Sequence, residues 1–525
     1  MKKRFCIDCE NNNTIILFGL YFLLSIFFAA SSLYLVVFRA NGAIDFKIAP
    51  FVLTFVFIIL ALGVFLFLRY GKEKAYFFLI LVIPIGMFFV FFMLPTAVPD
   101  EIWHIYRTMT VFQDSGSHMV VPHEAGLNIP AATFSYSDFY DCLTSSTDWS
   151  NVFIVERDMS QYLSIHYLIA GFFFQIARLL GLNYWICTYV ASLSNFALFC
   201  IVGFVFLRRI PFGKNVSLVF LLNPMLIQQE ASCSADAVCN ICAILFVLFL
   251  LDNYFSSKPS KKNLLAMVCF ALLMSVCKVG AYSPMCLLML VFLFKVQDSK
   301  KRTSLICLCC VVGILLYIYL VYFYEGALFP EARELMRNPS RLLFVLFNTF
   351  KQYFALQFRW YFGSSLGSLD IFVPIYFWVL YLLLQIFVLV VPERYNGRRL
   401  CAKEKLTLTI VCAIELFAIY MAQVSWAVNR DGNFDVITGV QGRYFIPIII
   451  VILLCYCRLR KTSDSSLSLT GAQTEICKND DLQLRVSYYG CVCWIKNNYV
   501  NLIVAIVACY VYLGAVLAVV HHFGV

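Results

Sequence analysis

Long apolar runs alternate with short polar and basic stretches along most of the chain. The runs at residues 14–38, 50–68, 76–95, 184–207, 216–229, 237–251, 264–277, 283–294, 305–323, 371–391, 406–425, 445–456 and 501–520 each read as a helix crossing a bilayer. A crossing takes about 20 mostly apolar residues, and it must be helical because lipid offers no partner to an open backbone. The runs near 216, 264 and 283 are shorter, as expected of tilted or broken helices. A closed barrel would show short alternating segments instead. The predicted class is all-α: a polytopic membrane helical bundle of about 13 transmembrane helices.

Basic residues set the direction of threading. Lys2, Lys3 and Arg4 precede the first run, and Arg69, Lys72 and Lys74 follow the second. The positive-inside rule places both clusters in the cytoplasm, so the third run exits outward. Residues 162–180 are also apolar, but they carry His166, Gln175 and Arg178. If they crossed, Arg208, Arg209 and Lys214 would land outside, so they are expected to form a helix lying at the outer interface. The remaining basic loops then alternate consistently, with the N-terminus cytoplasmic and the C-terminus outside.

The expected organisation follows. Residues 1–75 form a cytoplasmic tail and two additional spans, and 76–457 a main module with external loops at about 96–183 and 324–370. A cytoplasmic linker is expected at 458–498 and a last span with a short external end at 499–525. The Ser/Thr/Asp-rich stretch 462–481 suits that linker.

Composition agrees with membrane residence: 62% of residues are apolar and only 13% are charged. The net charge of +10 reads as cytoplasmic anchoring, not nucleic-acid binding. Most cysteines lie inside apolar runs, where they act as small hydrophobes. Cys6, Cys9, Cys477, Cys491 and Cys493 are better read as spare thiols than as a zinc set. No metal site is expected from the histidines either.

The unusual polar residues all fall on the external side of this threading. Directly after an apolar run comes Pro99-Asp100-Glu101-Ile102-Trp103-His104-Ile105-Tyr106-Arg107. On a helix starting there, Asp100, His104 and Arg107 share one face. A proline and an acid are also an ordinary helix start, but that leaves His104 and Arg107 unexplained. A second cluster runs from Asn223-Pro224 through Gln229, Glu230, Ser232 and Ser234 to Asp236, which borders a span. A charge deep in a bilayer costs roughly 2.5–3.5 kcal/mol, so Asp236 should face the bundle interior or water. Lys278 ends another run, with Tyr282 close behind. Gly439-Val440-Gln441-Gly442-Arg443-Tyr444 precedes a re-entering span, where two glycines suggest backbone close to a ligand and Arg443 suits phosphate. Arg333, Arg337 and Arg341 have helical spacing and read as one interfacial helix meeting anionic headgroups.

In this order and on one side, the motifs Pro-Asp-Glu-x-x-His, Gln229-x-x-Ser232-x-Ser234-x-Asp236, Lys278 with Tyr282, and Gln441-Gly442-Arg443-Tyr444-Phe445-x-Pro447 resemble a bacterial membrane-protein family. It is domain of unknown function 2142, grouped with the GT-C glycosyltransferases. The resemblance covers about residues 81–454. The chain departs from the pattern in its two extra N-terminal spans and in lacking a proline near 162–167. Protein O-mannosyltransferases have a similar Asp-Glu-x-His run.

The resemblance implies an enzyme of the bacterial cytoplasmic membrane with its active face outside. It would move a sugar from a polyprenyl-phosphate carrier to an extracytoplasmic glycan or lipid acceptor, by inversion. Asp100 would be the base, with Glu101 beside it in the catalytic pair. His104, Arg107, Gln229, Ser234, Asp236, Lys278, Tyr282, Gln441, Arg443 and Tyr444 would bind substrate. No cofactor would be required, although the acids would admit a divalent metal. Partners would be the lipid-linked donor, the acceptor and membrane lipids, with no nucleic acid. A polysaccharide polymerase or ligase, or a lipid-linked sugar flippase or transporter, is the alternative. A flippase should place its ionisable groups nearer midplane.

Overall fold

The computed structural model describes residues 73–112, 119–126, 142–155, 163–295, 330–424, 427, 435–461 and 481–523. The expected spans at 14–38, 50–68 and 305–323, residues 462–480 of the linker, and His118 lie outside the described residues. What is described is an all-α helical membrane protein. Five of its helices are long and apolar enough to cross a bilayer.

The first of these, α1 (Lys74–Phe92), packs lengthwise against a later one. A tight turn then leads to α2 (Glu101–Met109), which opens the first long loop. That loop contains an antiparallel pair, β1 (Met119–Pro122) with β2 (Val152–Val155). It ends in a 3-10 turn at Ser164–Tyr167 and α3 (Leu168–Leu179). Both ends of α3 meet the same loop. His104 of α2 bonds Tyr167 at its start, and Asn183 just past its end donates to the Leu143 and Ser145 carbonyls. A helix that starts and finishes on one side does not cross. Its inner face (Ala170, Phe174, Ala177) is buried, while Leu168, Phe172, Phe173 and Ile176 are exposed, the arrangement of an interfacial helix.

The chain then enters α4 (Tyr184–Arg209), the span that packs on α1. The next crossing is broken. α5 (Lys214–Leu221) stops at Asn223-Pro224, and α6 (Pro224–Glu230) starts anew. Pro224 lacks an N–H and sits at the first turn, and Asn223 caps by accepting from the Met225 and Leu226 amides. Both halves are buried on all sides, so the break is paid for inside protein, not in lipid.

α7 (Ala235–Phe255) crosses next, capped by Ser234. α8 (Lys261–Ser275) and a 3-10 helix at Ser283–Phe294 form a short pair against it. The second long loop holds α9 (Pro330–Arg337) and α10 (Pro339–Thr349). The single interfacial helix expected from the arginine spacing is thus two helices, because Pro339 cannot continue the first. Arg341 sits on the second and pairs with Asp435 at 2.5 Å. A π-turn joins α10 to α11 (Ala355–Tyr361), followed by the small hairpin β3 (Ser365–Leu366) and β4 (Ile371–Phe372). The helices α12 (Ile375–Val390), α13 (Ala402–Ala422), α14 (Ile446–Tyr456) and α15 (Asp481–Phe523) complete the bundle. The chain is already helical from Asp481, within the stretch expected as linker.

The loops sort to two ends. At one, Arg209 pairs with Asp252, and Lys295 bonds the Asn253 and Tyr254 carbonyls. Glu393 caps α5 there, and β5 (Glu393–Arg394) pairs in parallel with β6 (Leu459–Arg460). At the other end lie α2, the α6–α7 turn, the residues around Lys278 and the Gln441–Tyr444 segment.

Candidate functional site

The site is assembled at the second end from four pieces of chain far apart in sequence. The first is the turn into α2. Asp100 sits in the left-handed region at φ 61° and Thr96 at 75°. Such values cost energy for residues with a side chain, most of all a β-branched one. Glu101 holds the turn closed. One carboxylate oxygen accepts from the Thr96 and Val98 amides at 3.0 and 3.3 Å, and the other accepts from the Cys233 amide at 3.2 Å. Burial pushes the Glu101 carboxyl up to about 7, against the pull of those three donors. Glu101 therefore points inward and ties α2 to the α6–α7 turn, while the Asp100 side chain stays 60% exposed.

The second piece is the start of α7. Asp236 is buried there and has two cationic partners. Lys278 Nζ lies 2.5 Å from one oxygen and Arg443 Nε 3.2 Å from the other. The second contact is an ion pair without a well-aligned hydrogen bond, since Arg443 Nε has no such partner. Arg443 Nη1 also reaches the Gln229 side chain and the Pro99 carbonyl at 3.3 and 3.4 Å, and Nη2 stands 3.8 Å from Asp100.

Lys278, the third piece, is itself held at φ 46°. Its ammonium lies 3.6 Å from the centre of the Tyr444 ring, a close cation–π contact. Tyr282 fixes that ring's backbone by donating to the Tyr444 carbonyl at 3.1 Å.

The fourth piece carries Arg443 on a 3-10 turn, Gly442–Phe445. The glycine expected to approach a ligand approaches protein instead. A Cβ on Gly442 would stand 2.4 Å from both the Gln357 carbonyl and the Tyr361 amide of α11. Glycine lets the two backbones touch and so sets the depth of Arg443.

The site therefore gathers Asp100, His104, Gln229, Asp236, Lys278, Tyr282, Arg443 and Tyr444. His104 is buried beside these charges and bonds Tyr167 at 2.7 Å. Burial draws its imidazole down to about 4, against the raising influence of Asp236 and Asp100, so it is neutral near pH 7. The other residues expected in the site make no direct contact with its charged groups. Arg107 is buried and donates to the Ser164 hydroxyl at 2.6 Å, Ser234 accepts from the Asp236 amide as a helix cap, and the Gln441 side-chain oxygen has no hydrogen-bond partner. Sequence reading missed Tyr167, which no motif marks, and the Cys277 thiol that meets His166 Nε2 at 3.1 Å.

The electrostatic balance decides what the site can hold. Two cations, the buried Arg443 and the partly buried Lys278, share the buried Asp236, and the exposed Asp100 stands 3.8 Å from Arg443. An anion with a polar, proton-bearing neighbour is the complementary guest. Among the described residues no three His, Cys, Asp or Glu side chains cluster as a metal site.

No curated protein and no solved structure matches the chain. A family model does: the one described as predicted membrane protein (DUF2142) matches residues 84–452, well over half the length, and the chain belongs to that family.

Proposed function

We propose that the protein is a GT-C-type glycosyltransferase that moves a sugar from a polyprenyl-phosphate carrier to an acceptor outside the cytoplasm. The observation that carries this reading is the exposed Asp100 carboxylate beside Arg443, which with Lys278 shares the buried Asp236. In the proposed reaction Asp100 takes the proton of an acceptor hydroxyl as its oxygen bonds to the anomeric carbon. The bond from that carbon to the phosphate oxygen breaks, and the phosphate leaves with the electron pair. Arg443 and Lys278 face the charge that develops there. One displacement inverts the anomeric centre. Glu101 acts as a positioning residue that holds Asp100 in its turn, and neutral His104 is a hydrogen-bonding contact for the acceptor. No step calls for a metal.

A lipid-linked sugar flippase is the second reading, and one observation favours it. Glu415 is fully buried within α13, and an acid inside a span often marks a translocation path. The experiment that separates the two compares envelope glycans by mass spectrometry in cells carrying wild-type protein, Asp100→Asn protein, or none. Transfer requires the Asp100 carboxylate, whereas a flippase tolerates its amide.

A further inference from the structure

At the opposite end of the bundle is a cavity of about 460 Å3, between the end of α12, the start of α13 and the end of α14. That size lies within the usual range for small-molecule sites, roughly 300–1,000 Å3. Leu389, Leu400 and Leu454 supply apolar wall, and Arg399, Lys405 and Arg458 supply charge.

The neighbouring acids are already engaged. Glu393 uses its two oxygens to accept from the Lys214 and Asn215 amides at 3.1 and 2.9 Å. Glu404 is buried against Arg398, the Tyr254 hydroxyl and the Cys401 amide. Among the described residues, none of the three cavity cations has a carboxylate within ion-pair distance.

The lining has an apolar exposed side as well as the basic one. Val390 and Tyr456 belong to it and are 54% and 47% exposed. Beside it runs an exposed apolar row on α13, Leu406, Ile410 and Ile414, which is the face a membrane helix turns to lipid.

We propose that this cavity binds an anionic phospholipid, with the phosphodiester held by Arg399, Lys405 and Arg458 and the upper acyl chain lying past Val390 and Tyr456. A basic recess between membrane helices attracts anionic headgroups. A zwitterionic lipid loses most of that attraction, because its own ammonium cancels the phosphate. A free phosphate gains nothing from the apolar side. The site is independent of the Asp100 region and of its chemistry.

The test is native mass spectrometry of the full chain in mild detergent, titrated with phosphatidylglycerol, phosphatidylethanolamine or inorganic phosphate. Wild type should hold phosphatidylglycerol about tenfold or more tightly than phosphatidylethanolamine. The triple variant R399Q/K405Q/R458Q should lose that preference. Val390→Trp keeps every charge and crowds the apolar side, so it should lose the lipid while still eluting as a folded species. Undiminished phosphatidylglycerol binding in either variant overturns the proposal. So does equal binding of the two lipids, or displacement of phosphatidylglycerol by excess inorganic phosphate, which would mark a site for a soluble anion.

Discussion

Asp236 holds two cations with one carboxylate, and its removal takes the carboxylate partner from Lys278 and leaves Arg443 only Asp100 at 3.8 Å. Breaking a buried ion pair from one side costs about 3–5 kcal/mol, more than the pair contributes over apolar replacement. Asp236→Asn should therefore lower the melting temperature in detergent sharply, and D236N/K278M should cost less than the sum of its two single changes. Additivity in that cycle would contradict the shared site. Glu101 is tested through pH. Its folded value of about 7 lies above the ordinary carboxylate value of about 4.3, so the stability from its protonated form is present at low pH and is lost as pH rises through 7. His104, held low, gains stability with rising pH over about 4 to 6.5, so the comparison must isolate Glu101. The stability difference between wild type and Glu101→Gln should shrink between about pH 5 and 7 and level off above. A constant difference would contradict a titrating buried acid. At this scale the sequence showed which charges are unusual better than where they point. Asp100, Asp236, Lys278 and Arg443 stood out as charges beside apolar runs, which is a visible anomaly. That Glu101 turns inward could not be read, because it depends on the strained turn at Thr96 and Asp100 and on a Cys233 amide distant in sequence.

Apolar periodicity carries the elements further than the individual contacts. The spans from α1 to α15 follow the apolar runs closely because lipid contact demands apolar side chains all along a helix. Ends and breaks are set by local chemistry instead. The run at 216–229 is one apolar stretch in sequence, yet Asn223-Pro224 divides it. Pro339 splits the arginine-bearing segment in the same way. The helix at Ser283–Phe294 has only twelve residues, and as a 3-10 helix rising about 2.0 Å per residue it extends about 24 Å, further than an α-helix would. Gly442 shows what pattern cannot reveal. Its glycine was readable as a close approach, but the neighbour proved to be α11. Gly442→Ala would place a methyl group 2.4 Å from backbone atoms that cannot rotate away. The expected result is a loss of about 1–3 kcal/mol or more in stability, with Arg443 displaced from Asp236. A variant melting like wild type would show that this contact does not set the turn's position.

The whole molecule is polarised. Arg209, Lys214, Lys258, Arg394, Arg399 and Arg458 share one end with the lipid-sized cavity, and the Asp100 site occupies the other. The two-ended sorting of loops follows from the same charge alternation that guided the threading, and α3 fits it only as a helix that does not cross. Direction across the membrane is the expectation of the positive-inside rule. Ser368 and Cys401 are exposed at opposite ends and give a direct readout. A cysteine placed by Ser368→Cys should react with a membrane-impermeant thiol reagent in intact cells, and native Cys401 should react only after permeabilisation. The reverse pattern would turn the molecule over and place the Asp100 site in the cytoplasm.

The central claim is that Asp100 is the base of a sugar transfer in which Arg443 and Lys278 take up phosphate charge. The most direct measurement is transfer of a labelled sugar from polyprenyl phosphate to envelope acceptors by Asp100→Asn protein, folded and present at wild-type level in the membrane. A positioned base is worth roughly 10²–10⁴ in rate, so transfer should fall by at least about a hundredfold. Transfer at the wild-type rate would contradict the account.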